Sequence, residues 1–361
     1  MLEISQELVK LVAKGESAAL ATIIASHGSA PRKAGAKMLI RGDESFIGTV
    51  GGGGVELQVS HKAMEIMDTG DPQMVHFDLA GKDCVAQMIC GGQVDVFLET
   101  RLRDNKTALE IHREIVNLAS KGEAAVLATV ISSRGAVSGK PGAKMLIRRD
   151  KSVLGSVGGD GVEPQVIDKA PQILRHAESK LVHFEVTDKE HTGQMDVFME
   201  PVLPPATLYL CGAGHISRST AAFGKMLGFK VTVIDPRPEF NNVERFPDAD
   251  NRIIDDYALS LSKLNIGEEG FIIICTPGHI LDEQCLYFAV GTKAKYIGMI
   301  GSRKKVKETK EQLIKKGIRP EQLENVHSPI GLEIGAETPA EIAISILAEI
   351  IKVRRAGSEQ V

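Results

Sequence analysis

The chain has 361 residues, 43% apolar and 25% charged, with 43 basic against 47 acidic side chains and a net charge of −4. That balance excludes a disordered, collagen-like or supercharged chain and gives no pull toward nucleic acid or an anionic membrane. The length predicts two or three domains, and no apolar run approaches the ~18 residues of a membrane helix.

From the N-terminus, Leu8, Leu11 and Val12 set a helical stripe before Gly15. AALATIIA reads as a strand, and KMLIR and FIGTV as a hairpin about Gly42-Asp43-Glu44. A helix follows over Val55–Met67, and Gln93–Glu99 closes the module as a strand. The opening segment is acidic and lacks a long apolar run, so it is not read as a secretory signal, and the cytoplasm is the expected compartment.

The same pattern then returns. With Gly15 laid on Gly122, an offset of 107 residues, KGESAALATIIAS meets KGEAAVLATVISS and GAKMLIR meets an identical GAKMLIR. From Gly35 to Glu56, 16 of 22 positions are identical to their mates, which is a duplication. Its period is far longer than that of a solenoid. The copies differ where chemistry is expected. Copy two lacks six residues of the segment VAQMICGG, and Cys90 with them. It reads Ala136-Val137-Ser138-Gly139 for Ser29-Ala30-Pro31-Arg32, and Asp160 for Gly53. Copy two is expected to keep the fold, and copy one the chemistry.

Pro201, Pro204 and Pro205 mark a linker. Beyond it, the strand Leu208–Cys211 runs into Gly212-Ala213-Gly214-His215-Ile216-Ser217 and a helix to Leu227. The strand Lys230–Ile234 ends at Asp235, 21 residues after Gly214. This is a dinucleotide-binding fingerprint with Ser217 in place of its third glycine. Gly212 permits the turn, Gly214 lets a pyrophosphate approach, and Asp235 is placed for a ribose hydroxyl. Further strand-to-helix junctions fall at Asp255-Asp256, at Thr276-Pro277-Gly278-His279 and at Gly301-Ser302-Arg303. Ser302 and Arg303 are candidates for a phosphate, whereas Lys304, Lys305 and Lys307 read as a solvated helix face. Thr338-Pro339 opens a last helix over Ala340–Val353.

The expected architecture is therefore α/β. A doubly wound parallel sheet at 204–361 follows two tandem α+β modules at 1–100 and 101–203. The five cysteines, Cys84, Cys90, Cys211, Cys275 and Cys285, form no CxxC pair, which argues against a disulfide framework or structural zinc. Cys211 and Cys275 sit in apolar runs and read as core. Gly51, Gly52, Gly53 and Gly54 before a helix form a candidate anion nest. Cys90, flanked by Gly91-Gly92, is the candidate functional thiol and metal ligand, with Cys84 a weaker competitor. His215 and His279 both lie at strand ends, and one of them is the acid–base group if the second half is an NAD(P)-dependent oxidoreductase. No serine triad, P-loop or zinc-hydrolase motif is present.

GSAPRKAGAKMLI, GTVGGGGVE and MICGG resemble the N-terminal domain of the XdhC/CoxI family, the xanthine dehydrogenase accessory factors. LCGAGHIS, TPGH, YIGMIGSRKK and PIGLEIGAETPAEIA resemble the Rossmann domain of the same family. The second, degenerate module is a departure from its usual pattern. The resemblance implies a chaperone that binds molybdenum cofactor (molybdopterin), holds it for sulfuration by a cysteine desulfurase and passes it to a xanthine dehydrogenase-type hydroxylase. On that reading it turns over no purine. Pro31, Arg32, Cys90, Glu56 and the glycine run would hold the cofactor. Gly212, Gly214, His215, Asp235, Thr276, Gly278, His279, Ser302 and Arg303 would line a nucleotide crevice for NAD(P) or another nucleotide. A homo-oligomer is left open.

Overall fold

Ile4, Leu8 and Leu11 recur at helical spacing and bury one stripe of the first helix, α1 (Leu2–Ala13). The computed structural model describes residues 1–28, 30, 32–78, 92–100, 105–135, 137–159, 161–187 and 192–355. Strand β1 (Ala18–Gly28) is buried on both faces. Ala18 and Leu20 pack with the α1 stripe, while Ala19, Ala21 and Ile23 turn to the opposite side. There they meet Val55, Val59 and Ala63 of helix α2 (Gly53–Thr69). With β2 (Lys37–Arg41), β3 (Phe46–Gly48), β4 (Gln73–Asp78) and β5 (Gly92–Glu99), the antiparallel sheet runs β3-β2-β1-β5-β4.

The second pass through the pattern builds the same unit. It comprises α3 (Lys106–Lys121), β6 (Ala125–Gly135), β7 (Lys144–Arg148), β8 (Val153–Gly155), α4 (Glu163–His176), β9 (Lys180–Thr187) and β10 (Thr192–Val202). Its sheet order is β8-β7-β6-β10-β9, element for element that of the first. The stretch between Cys84 and Gly92, where the copies differ in length, lies outside the described residues apart from Gly92 itself.

The two modules are not beads on a string. Lys37 of the first donates to Glu200 of the second at 3.0 Å, and Lys144 of the second reaches Glu99 of the first at 2.8 Å. Residues 37 and 144 are repeat mates, and so are 99 and 200, so the two bridges are one contact made twice about a pseudo-two-fold. All four side chains are nearly fully buried, and each lysine also donates to a threonine, Thr22 or Thr129. Both β1 and β6 bulge, at Ile24 and Ile131, and those side chains pack in one cluster with Phe97 and Phe198. Gly35 and Gly142 sit at φ +92° and +85°. That backbone favours glycine, and a Cβ on Gly35 would also crowd Ser179 Oγ of the other module at 2.5 Å.

Helix α1 packs on α3 across the same axis, where Ser5 Oγ and His112 Nδ1, again repeat mates, lie 2.9 Å apart. His112 is fully buried, and its Nε2 has no partner among the described residues. Burial first, then the charges of Lys144 and Lys37, push the imidazole pKa down to about 3. The ordinary value, about 6.5, holds in the unfolded chain. As pH falls from there toward 3 the unfolded state gains a proton that the folded state refuses, so stability is lost in that window at up to about 1.4 kcal/mol per pH unit. His112→Gln is expected to flatten the fall of the melting temperature between pH 6.5 and 4. Parallel curves for variant and parent would show that His112 does not carry it.

The chain divides into two units, Met1–Pro204 and Pro205–Val361. The second holds β11 (Thr207–Cys211), α5 (His215–Met226), β12 (Lys230–Ile234), β13 (Asn251–Ile253), α6 (Tyr257–Lys263), β14 (Gly270–Ile274) and α7 (His279–Ala289). It continues with β15 (Tyr296–Met299), α8 (Arg303–Lys315), α9 (Pro320–Glu324), β16 (Val326–His327) and α10 (Pro339–Arg355). Every strand pair is parallel and the order is β13-β12-β11-β14-β15-β16, the doubly wound topology. Leu208 and Leu210 of β11 join the core under α5 and α10, while Cys211 joins the core under α6, α7 and α8. Burial on both faces is why these strands read as unbroken apolar runs. Thr338 and Glu341 form a reciprocal cap at the start of α10.

Candidate functional sites

The glycine loop of the first module lies between β3 and α2. Gly51 and Gly52 adopt φ +136° and +101°, which only glycine adopts readily. The expected anion at this loop is supplied by the protein itself. Glu56, one turn into α2, folds back so that its carboxylate accepts from the Thr49 hydroxyl and from the Gly52 N–H at 3.2 Å. Gly51 N–H donates to Thr49 Oγ1. In the second module Glu163 likewise accepts from Ser156 and Gly158. An incoming anion at Gly52 must therefore displace Glu56, and the glutamate, Glu56 or Glu163, locks the loop in each copy. Gly54 is buried, whereas Arg32 is exposed, and among the described residues no hydrogen bond joins Arg32 to the loop. Pro31, Cys84 and Cys90 lie outside the described residues. Among the described residues no group of three His, Cys, Asp or Glu is placed to hold a metal.

In the second unit the crevice lies at the carboxyl ends of β11 and β14, where the strand order reverses. Gly212 sits at φ +117°, and a Cβ there would meet the Cys275 carbonyl at 2.3 Å, so the turn itself requires glycine. Gly214 is the N-cap of α5 and Gly278 that of α7. A Cβ on either would meet nothing within 4 Å, so neither glycine is demanded by packing. His215 and His279 are the first residues of those helices, and both are exposed. The third fingerprint position, Ser217, is fully buried with its hydroxyl unpartnered among the described residues.

Asp235 differs from the expectation of a free ribose acceptor. It is fully buried, and its two oxygens accept five hydrogen bonds, from Ala213 N–H, Tyr257 hydroxyl and the N–H, Nε and Nη2 of Arg237, at 2.8–3.0 Å. Burial opposes its charge, but the hydrogen bonds from Arg237, Ala213 and Tyr257 win and hold its pKa below the usual carboxylate range. Arg237 is stacked over Phe240 at 4.2 Å. A ribose hydroxyl would find the carboxylate already committed.

Thr276 donates its hydroxyl to Asp282 at 2.6 Å and its N–H at 3.1 Å, and Lys305 reaches the other Asp282 oxygen at 2.5 Å. Asp282 is fully buried, so this network ties the Thr276–Gly278 turn to α7 and α8. Reading Lys305 as a solvated residue is thereby corrected. Lys304 and Lys307 do face solvent, with i,i+4 partners Glu308 and Glu311. Only the apolar-versus-polar spacing of Asp282 within α7 could have hinted at the pair. Cys275 directly follows β14, and burial pushes its thiol up to about 12. Cys211 and Cys285 are buried against the same sheet. Ser302 caps α8, accepting from Lys305 N–H at 3.4 Å, and Arg303 is its exposed first residue.

The sequence profile of the XdhC and CoxI family matches residues 11–78 and again residues 118–185, and that of the XdhC Rossmann domain matches residues 208–350. The chain belongs to the XdhC and CoxI family. A Bacillus subtilis (strain 168) relative, named as a probable xanthine dehydrogenase subunit, is 28% identical over 343 residues, 94% of each chain. The molybdenum cofactor insertion chaperone PaoD of Escherichia coli (strain K12) is 21% identical over 349 residues, 96% of this chain and 86% of its own. The Escherichia coli protein YqeB, uncharacterized, is 32% identical over 254 residues, 68% of this chain but only 46% of YqeB, so the chain matches less than half of that relative's length. A crystal structure from Bacillus halodurans, described as a xanthine dehydrogenase, superposes with a TM-score of 0.75 at 26% identity, covering 98% of this chain and 97% of its own. The matched residues fall in both antiparallel modules and in the parallel-sheet unit of this chain.

Proposed function

We propose that this protein is an accessory factor that binds molybdenum cofactor as cargo, holds it for sulfuration and delivers it to a xanthine dehydrogenase-type molybdenum hydroxylase. The observation that carries the proposal is that 96% of the chain aligns with a molybdenum cofactor insertion chaperone. A cysteine desulfurase is the partner that would supply sulfur. The described residues suit the organic, anionic part of such a cargo better than its metal. They offer open helix N-termini at Gly214 and Gly278 and, at Gly52, a donor that Glu56 yields only by moving. The metal-facing role falls to Cys90, the thiol that the second module has lost.

A nicotinamide-dependent oxidoreductase is the weaker reading, because Asp235 is committed to Arg237 and Tyr257. Wild-type protein supplied with molybdenum cofactor is expected to activate a cofactor-free xanthine dehydrogenase, and no activation would end the chaperone proposal. Cys90→Ser is expected to lower bound molybdenum by at least about tenfold, the scale on which even outer partners of a metal act, and Cys84→Ser is expected to leave it near the parent value. Full molybdenum content and full activation in Cys90→Ser would reject the thiol role.

A further inference from the structure

A cleft of about 430 Å³ opens in the second unit between the start of α8 and the loop that follows β16. That size suits a small ligand, for which pockets of about 300–1,000 Å³ are usual. The loop wall uses its polar groups internally. Gly331 N–H donates to Glu349 at 2.9 Å, Leu332 N–H to the Ser345 carbonyl at 3.3 Å, and the Ser345 hydroxyl to the Leu332 carbonyl at 2.6 Å. Gly331 sits at φ +94°, which favours glycine, and a Cβ there would crowd Ser345 Oγ at 2.3 Å.

What stays open is one guanidinium and an apolar lining. Arg303 and Ser345 are the lining residues whose side chains carry hydrogen-bond donors, and Ser345 is committed. Arg303 is exposed, with no hydrogen bond or ion pair among the described residues, whereas Lys304, Lys305 and Lys307 beside it on α8 all have acidic partners. Ile330, Leu332, Ile334 and Ile342 supply the apolar lining, and Ile334 is left 54% exposed. Glu333 adds one carboxylate to the lining, so its formal charges cancel. A ligand rich in polar groups would leave them without partners against such a lining, and a dianion would bring more negative charge than Arg303 balances beside Glu333. A monoanion with an apolar body meets neither penalty. A guanidinium takes a carboxylate through two parallel N–H bonds, and the isoleucines gain by covering a hydrocarbon chain.

We infer that this cleft binds a small amphipathic monocarboxylate, with its carboxylate on Arg303 and its hydrocarbon chain along Ile330, Leu332, Ile334 and Ile342. The inference goes beyond the chaperone proposal and does not depend on it, so failure to activate a hydroxylase would leave it standing. The test is calorimetric titration of the full chain with acetate, butyrate, hexanoate, hexanol and inorganic phosphate. Affinity is expected to rise from acetate to hexanoate by about threefold per methylene. Hexanoate is expected to bind at least about tenfold more tightly than hexanol or phosphate. Arg303→Gln is expected to weaken hexanoate by about tenfold and leave hexanol unchanged, and Ile334→Ser to weaken hexanoate by about threefold and leave acetate unchanged. Both side chains are exposed, so both variants are expected to fold, which circular dichroism checks. Acetate, hexanol or phosphate binding as tightly as hexanoate would overturn the inference. So would an unchanged hexanoate affinity in Arg303→Gln, or no hexanoate binding up to about 10 mM.

Discussion

Lys144→Met is expected to destabilise the first unit by about 3–5 kcal/mol, the usual cost of orphaning one partner of a buried ion pair. The side chains of Lys144 and Glu99 are 3% and 5% exposed, and they belong to different modules. Removing the lysine leaves Glu99 charged, buried and without its partner. The pseudo-two-fold makes a second demand: Lys37→Met must cost a similar amount, because it orphans Glu200 in the equivalent place. Pairing Lys144→Met with Glu99→Leu is expected to recover most of the loss, since an apolar pair of similar volume often matches a buried bridge. Urea unfolding followed on the earliest transition reads all four proteins. A loss below about 1 kcal/mol for Lys144→Met, the value of a surface bridge, would show that the crossed pairs do not hold the modules together.

Asp235→Asn is expected to act on stability rather than on cofactor choice. The side chain must satisfy three donor groups at once, and an amide turns one accepting oxygen into a donor facing Ala213 N–H, Tyr257 or Arg237. The expected cost is about 3 kcal/mol or more, as for a broken buried network. Because the folded pKa of Asp235 is depressed, its contribution is present above the ordinary carboxylate value and fades as pH falls below it, so variant and parent should converge in acid. Binding of NAD relative to NADP, measured on the folded fraction, is expected not to change. A stable Asp235→Asn protein with a reversed NAD/NADP preference would restore the ribose role that the sequence suggests.

Much of the fold is legible because it is periodic. The identical heptapeptide GAKMLIR shows why. Met38 and Ile40 face one core and Leu39 the other, and Arg41 reaches back to Glu7 on α1, as Arg148 does to Glu114 on α3. Alternation and repetition reveal two like sheets. The role of the lysine stays hidden, because a repeat shows that Lys37 and Lys144 are equivalent without showing that each bonds the other module. The Rossmann half is legible for the same reason: both faces of its strands are buried, and its turns are marked by glycine. The two-residue β16 carries too little pattern to be seen, and the cleft beside it goes unseen with it. The internal partners of Asp235 and Glu56 stay hidden for a shared physical reason. Spacing places an acid near a turn, but whether it faces a ligand or the turn's own donors depends on neighbours such as Arg237 and Thr49 that no spacing rule includes.

The crossed bridges carry an evolutionary corollary. An interface in which each half gives what it receives is isologous, and it is satisfied by two copies and no more, so it ends in a closed pair rather than a filament. In a homodimer every substitution appears in both halves, and a loss that harms the chemistry harms it twice. Joining the halves on one chain lifts that restriction. The second module could shed the six residues around the counterpart of Cys90 while Lys144 and Glu200 went on holding its sibling in place, so ancestry and employment parted company within a single polypeptide.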